Sequence, residues 1–140
     1  EHILNRRGDG RIRAYSAGSQ PTGQVHPQSL ILLAKKGYNT DQARSKSWDE
    51  FASDKAPKMD LVITVCASAA GETCPIWPGA PLRAHWGIDD PAAAQEADWP
   101  RAFATAYSKL ERKAEAFVAL PQDLTPSALS AELKRIGEMS

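Results

Sequence analysis

The sequence predicts an α/β domain built on a parallel sheet with helices packed against it. Three observations predict it. Residues 60–66, Asp-Leu-Val-Ile-Thr-Val-Cys, are apolar and β-branched almost without interruption, as a parallel strand covered on both faces is. Residues 100–119 carry Phe103, Ala106, Tyr107, Leu110, Ala114, Phe117 and Val118 at spacings of three and four, the stripe of an amphipathic helix. Strand-like and helix-like stretches also alternate along the chain, the pattern that builds parallel sheets.

In chain order, residues 1–8 read as the last turns of a helix. Ile3 and Leu4 are apolar, Arg6 and Arg7 suit its negative end, and Gly8 suits the position just past it. No cap or first turn precedes them, and the chain opens on Glu rather than Met, so residues are expected to be missing before Glu1. Residues 11–16 alternate, with Ile12, Ala14 and Ser16 on one face and Arg11, Arg13 and Tyr15 on the other. That period of two predicts a half-exposed strand at a sheet edge.

A Gly- and Pro-containing loop leads to His26-Pro27, where Pro is pre-set for the first helical position. Leu30, Ile31, Leu33 and Ala34 form the expected buried stripe of this helix, and Gly37 ends it. Residues 39–58 are polar and irregular, with a short helix expected near 47–52. The strand at 60–66 runs into a long loop, 67–81, rich in Gly and Pro. Residues 82–86 form a second short strand, closed by a turn at Asp89-Asp90-Pro91. The long helix ends before Pro121. A last helix opens at Thr125-Pro126, carries Leu129, Leu133 and Ile136 inward and runs to Gly137.

Composition narrows the function classes. With 140 residues, 42% apolar and 24% charged, the chain suits one self-supporting domain spanning 1–140. Lys plus Arg and Asp plus Glu are both 17, so the net charge is zero. That leaves no broad electrostatic footprint for nucleic acid. The longest nearly apolar run, 61–70, falls far short of the ~20 residues of a membrane span. No basic-then-apolar leader opens the chain, and two cysteines do not make a disulfide scaffold. The expected location is the cytoplasm.

Ligands of parallel sheets bind beyond the C-terminal strand ends, which directs attention to Cys66 and to Asp89-Asp90. Cys74 follows Cys66 after seven small or flexible residues. The two are either a redox pair or one structural and one incidental cysteine. Cys66, Cys74 and His85 suggest zinc only weakly, because their spacing matches no common knuckle and a fourth ligand is not apparent. Asp90 is either a general acid or an ordinary turn residue.

Taken together, Tyr15-Ser16-Ala17-Gly18, Val25-His26-Pro27, Arg44-Ser45-Lys46, residues 60–66, Gly71-Glu72-Thr73-Cys74-Pro75 and His85-Trp86-Gly87-Ile88-Asp89-Asp90-Pro91 are similar to one family over nearly the whole chain. They resemble the arsenate reductases built on the low-molecular-weight protein tyrosine phosphatase fold. The resemblance implies a three-layer domain whose four parallel strands run in the order 2-1-3-4, flanked by helices. It also implies a Cys-x5-Arg phosphate loop after the first strand, where helix N-terminus and backbone amides hold the oxyanion and activate the thiol.

This chain lacks that loop: Glu72 stands six residues after Cys66 and Ala80 six after Cys74. The first strand, the loop and the first helical turns, about 20 residues, are therefore expected upstream. The resemblance makes Asp90 the general acid and has Cys66 attack the arsenylated nucleophile. It has Cys74 attack Cys66 in turn, and gives Ser16 the support of the phosphate loop. It implies arsenate or phosphate as substrate and no bound cofactor. The cysteine spacing is one residue longer than in thioredoxin-coupled members, so the external reductant is either thioredoxin or a glutaredoxin/glutathione couple. Alternatives are a low-molecular-weight protein tyrosine phosphatase and a non-catalytic anion-binding module.

Overall fold

The computed structural model describes residues 1–19, 21–65 and 81–139. Cys66 and Cys74 lie outside the described residues, as does most of the Gly- and Pro-rich loop. Four helices are described: α1 (His2–Gly8), α2 (Pro27–Lys35), α3 (Trp99–Val118) and α4 (Pro126–Gly137). Two strands, β1 (Leu61–Thr64) and β2 (Leu82–His85), pair in parallel with Leu61 opposite Leu82 and Thr64 opposite His85. This is an α/β arrangement, and among the described residues the sheet has these two strands.

The core lies between the sheet and the C-terminal helices. Trp86, Leu133 and Ile136 are buried, with Leu61, Ile63, Ala84, Phe117 and Leu129 packed around them. The odd residues of β1 and the even residues of β2 therefore face this core, as strand alternation requires. Val62, Thr64, Arg83 and His85 belong to the opposite face. Trp86 is 3% exposed, and its indole N–H donates to Leu133 O at 3.1 Å. The core-facing positions expected on α3 and α4 are buried or half-buried.

Helix starts follow the expected chemistry. His26 caps α2, its Nδ1 accepting from Gln28 N–H at 3.1 Å, with Pro27 in the first turn. Thr125 caps α4 through Oγ1 and Ala128 N–H. Ser47 caps a short 3₁₀ helix, Trp48–Phe51, in the region expected for a short helix.

Three expectations are corrected. Residues 11–16 pair with no strand among the described residues; the pairing nearby is one isolated bridge between Gly18 and Ser47. Side chains of α1 take the groups a neighbouring strand would bond. Asn5 accepts from Ala14 N–H and donates to Ala14 O, at 2.9 and 3.0 Å. Ser16 N–H donates to the Glu1 carboxylate at 2.8 Å. The alternation of Ile12 and Ala14 against Arg11, Arg13 and Tyr15 survives in burial, but Ser16 is exposed.

The apolar stripe of α2 is the second correction. None of its residues is fully buried; Ile31 is 48% exposed and Ala34 is exposed, whereas Leu30, Leu32 and Leu33 are half-buried. Helix α2 packs against α3, and one neighbouring helix covers only a narrow strip of its surface.

Gly8 is the third. It is the buried last residue of α1, and the left-handed position falls on Asp9 at φ 47°. A Cβ on Gly8 would stand 2.5 Å from Ile12 Cβ, so glycine serves close approach of the chain rather than a left-handed turn.

A buried cation was not foreseen. Lys113 lies within the polar run of α3, is 2% exposed, and donates from Nζ to Ile136 O, Gly137 O and Met139 O at 2.8–3.1 Å. It closes the C-terminal end of α4, where unpaired carbonyls and the helix dipole favour a positive charge.

Candidate active site

The described part of the site lies at the C-terminal ends of β1 and β2. Beyond the strands the ladder continues: Trp86 N–H donates to Thr64 O at 2.8 Å and Ile88 N–H to Val65 O at 3.1 Å. These bonds carry residues 86–88 along the end of β1.

Asp90 follows two residues beyond this run. It is exposed and caps a one-turn 3₁₀ helix, Pro91–Ala93, through Oδ1 and the N–H of Ala92 at 2.9 Å. Both readings of Asp90 therefore have a structural basis: it is a turn cap, and its carboxyl group is open to solvent. Asp89 is exposed beside it.

Ser16 lies in a separate cluster. Its amide is held by Glu1 Oε2, and the same oxygen accepts from Lys46 Nζ at 3.2 Å. Lys46 is 8% exposed. Burial pushes the Glu1 carboxyl upward, but the Lys46 hydrogen bond and charge, with the Ser16 amide, hold it below its ordinary range. Lys46 O also accepts from Gly18 N–H at 2.9 Å, so Ser16 is fixed through its backbone to α1 and to residues 46–48.

Sequence reasoning missed one further pair. Thr64 Oγ1 and His85 Nδ1 stand 2.7 Å apart, directly across the β1–β2 ladder. Both residues close their predicted strands, and only the register shows that they meet. Among the described residues no group of three His, Cys, Asp or Glu could hold a metal ion, and no helix is long and apolar enough to cross a membrane.

The arrangement is an exposed carboxyl and a threonine–histidine pair at the C-terminal end of a parallel sheet. Comparison with known proteins decides its family. The sequence profile of the low molecular weight phosphotyrosine protein phosphatases matches residues 1–134. The chain belongs to this family. Within it, the chain is 38% identical over 84 residues to an arsenate reductase of Halalkalibacterium halodurans, covering 60% of this chain and 57% of that protein. It is 37% identical over 83 residues to the arsenate reductase of Bacillus subtilis, covering 59% and 56%. It is 37% identical over 87 residues to one of Staphylococcus aureus, covering 62% and 63%. The matched part of this phosphatase-family chain thus spans a little over half the length of these relatives.

Proposed function

We propose that the protein is an arsenate reductase, converting arsenate to arsenite through a cysteine thiol–disulfide relay. The observation that carries this reading is the 37–38% identity to proteins named arsenate reductase in three genera. The pair Cys66 and Cys74 agrees with it, because reduction requires thiols to give up two electrons and ester hydrolysis does not. A low-molecular-weight tyrosine phosphatase, the activity in the family's name, is the second reading.

In the proposed reaction a nucleophilic thiolate bonds to arsenic as oxygen leaves as water. Asp90 supplies the proton, its exposed carboxyl standing at the end of the β1–β2 ladder. The Cys66 thiolate attacks the sulfur bonded to arsenic. An S–S bond forms, the S–As bond breaks, and its electron pair stays on arsenic, which leaves as arsenite. Cys74 attacks Cys66, frees the nucleophile, and leaves a Cys66–Cys74 disulfide for an external dithiol, thioredoxin or glutaredoxin/glutathione, to reduce. A reducing compartment, the cytoplasm, suits this chemistry.

Neither cysteine in residues 1–140 belongs to a Cys-x5-Arg loop, so the reading requires the nucleophile from outside them. The four-stranded order 2-1-3-4, a single but N-terminally incomplete domain over 1–140 and support of the loop by Ser16 belong to the same proposal. Its test is mass spectrometry of the protein as its gene encodes it, after one turnover without reductant. The expected product holds a Cys66–Cys74 bond. A bond from Cys66 to the nucleophile that never passes to Cys74 removes Cys74 from the relay.

A further inference from the structure

We infer that Trp99, with His26 set against its ring, is a positioning residue for the Asp90 carboxyl. The inference rests on Asp90 being the proton donor of the proposed reaction, and it names what fixes that carboxyl in place. Asp90 is exposed, and an exposed side chain on a turn is only as well placed as the turn that carries it.

The turn is closed from within and tied on both sides. Inside it, Ala92 N–H donates to Asp90 Oδ1 at 2.9 Å, Ala93 N–H to Asp90 O at 3.1 Å and Ala94 N–H to Pro91 O at 3.3 Å. Two residues before Asp90, Ile88 N–H donates to Val65 O at 3.1 Å. On the far side the tie is a side chain: the indole N–H of Trp99 donates to Ala94 O at 3.0 Å. An indole nitrogen can only donate, so the direction of this bond is fixed. Trp99 opens α3, and the turn Pro91–Ala93 packs against α3. The bond therefore fastens the end of the Asp90 turn to the start of that helix.

His26 orients the indole. It stands half-buried at the start of α2, its ring centroid 4.6 Å from that of Trp99 and the two planes at 88°, an edge-to-face contact. The same imidazole lies 4.6 Å from the ring of Phe103, which is buried one turn further along α3. It is held from the other side as well, because its Nδ1 accepts from Gln28 N–H at 3.1 Å. One ring thus caps α2 and braces Trp99.

Trp99 and His26 act through Asp90. In the step they serve, the Asp90 O–H bond breaks and its proton passes to the leaving oxygen. The electron pair of the bond broken at arsenic or phosphorus stays on that oxygen. The donor must lie within hydrogen-bond reach of the leaving oxygen, and a displacement of about 1 Å can cost about 100-fold in rate.

Kinetics of the protein as its gene encodes it separate this role from a merely structural one. Trp99→Phe keeps a ring for His26 and drops the N–H. It should lower kcat for arsenate about tenfold or more and leave KM unchanged. Added to Asp90→Asn, it should cost nothing further, since residues that act as one unit are not additive. Two aryl phosphates give the second readout. Phenyl phosphate needs its leaving oxygen protonated, whereas dinitrophenyl phosphate releases a stable anion and does not. Trp99→Phe should slow hydrolysis of the first and spare the second. His26→Asn keeps a cap for α2 but removes the ring, and should show the same selective loss, smaller in size.

A Trp99→Phe variant that turns over arsenate at the wild-type rate, slows both esters equally, or adds its full loss to that of Asp90→Asn overturns the inference and leaves Asp90 as the proton donor. Wild-type turnover by Asp90→Asn itself overturns the proton-donor reading, and the inference with it.

Discussion

Trp86 and Leu133 are joined by a buried hydrogen bond, indole Nε1 to carbonyl oxygen at 3.1 Å. The bond ties the segment that follows β2, and ends at Asp90, to the centre of α4. Trp86→Phe keeps most of the packing but withdraws one hydrogen bond from a carbonyl inside α4, a loss of about 0.5–1.5 kcal/mol. Trp86→Ala adds a cavity and should cost about 3–5 kcal/mol. Urea denaturation with tyrosine fluorescence or far-UV circular dichroism checks both, and the order Ala worse than Phe is the expected result.

Lys113 stabilises by closing one end of α4. Lys113→Met fills similar space but withdraws three hydrogen bonds from Ile136 O, Gly137 O and Met139 O. The expected loss is about 1–3 kcal/mol, because Ile136 O keeps the Met139 N–H while the half-buried Gly137 O and Met139 O lose the amine. Hydrogen exchange should rise most in the last turn of α4. A variant as stable as the wild type would show that water or backbone rearrangement replaces the amine.

The Glu1–Lys46 pair makes the anchoring of Ser16 acid-sensitive. The Glu1 carboxyl titrates below its ordinary value of 4.5 in the folded chain. A lowered carboxyl contributes stability that is fully present above the unfolded value and is lost as pH falls through the folded one. The Ser16 amide, which donates to this carboxylate, should therefore lose protection from hydrogen exchange below about pH 4.5, after correction for intrinsic rates. Lys46→Met should move that loss to higher pH; an unchanged profile would mean that the pair does not set it.

Asp90 separates into two roles by substitution. Asp90→Asn keeps a side-chain oxygen for Ala92 N–H, because Asn caps as well as Asp. It cannot supply a proton. Under the proposed mechanism it should keep its thermal midpoint and lose about 100-fold or more in arsenate turnover. Asp90→Ala should lose activity and also about 1 kcal/mol of stability with the cap. If Asn retains full turnover, Asp90 is a turn residue alone.

Local rules made much of the fold legible. The i, i+3, i+4 stripe placed α3 within one residue at each end, and the prolines at 27 and 126 marked where α2 and α4 begin. Of the run at 60–66, Leu61–Thr64 is a parallel strand, and Cys66 lies outside the described residues. What was hidden depends on partners distant in sequence. Alternation at 11–16 does not show that Asn5 bonds both backbone groups of Ala14 and that Glu1 holds the Ser16 amide. The burial of Lys113 had no local signal, because its acceptors lie 23 or more positions away. At the site, the place of Asp90 at the end of the ladder was readable from the strand rule, whereas the Thr64–His85 contact needed the β1–β2 register.

Cys66 carries the central claim: under the proposed relay, no first disulfide forms and no arsenite leaves without its thiol. The direct measurement is steady-state arsenate reduction by Cys66→Ser, in the protein as its gene encodes it, beside hydrolysis of a small aryl phosphate by the same preparation. Loss of arsenate reduction with hydrolysis retained is the predicted result. Arsenate reduction at the wild-type rate would contradict it.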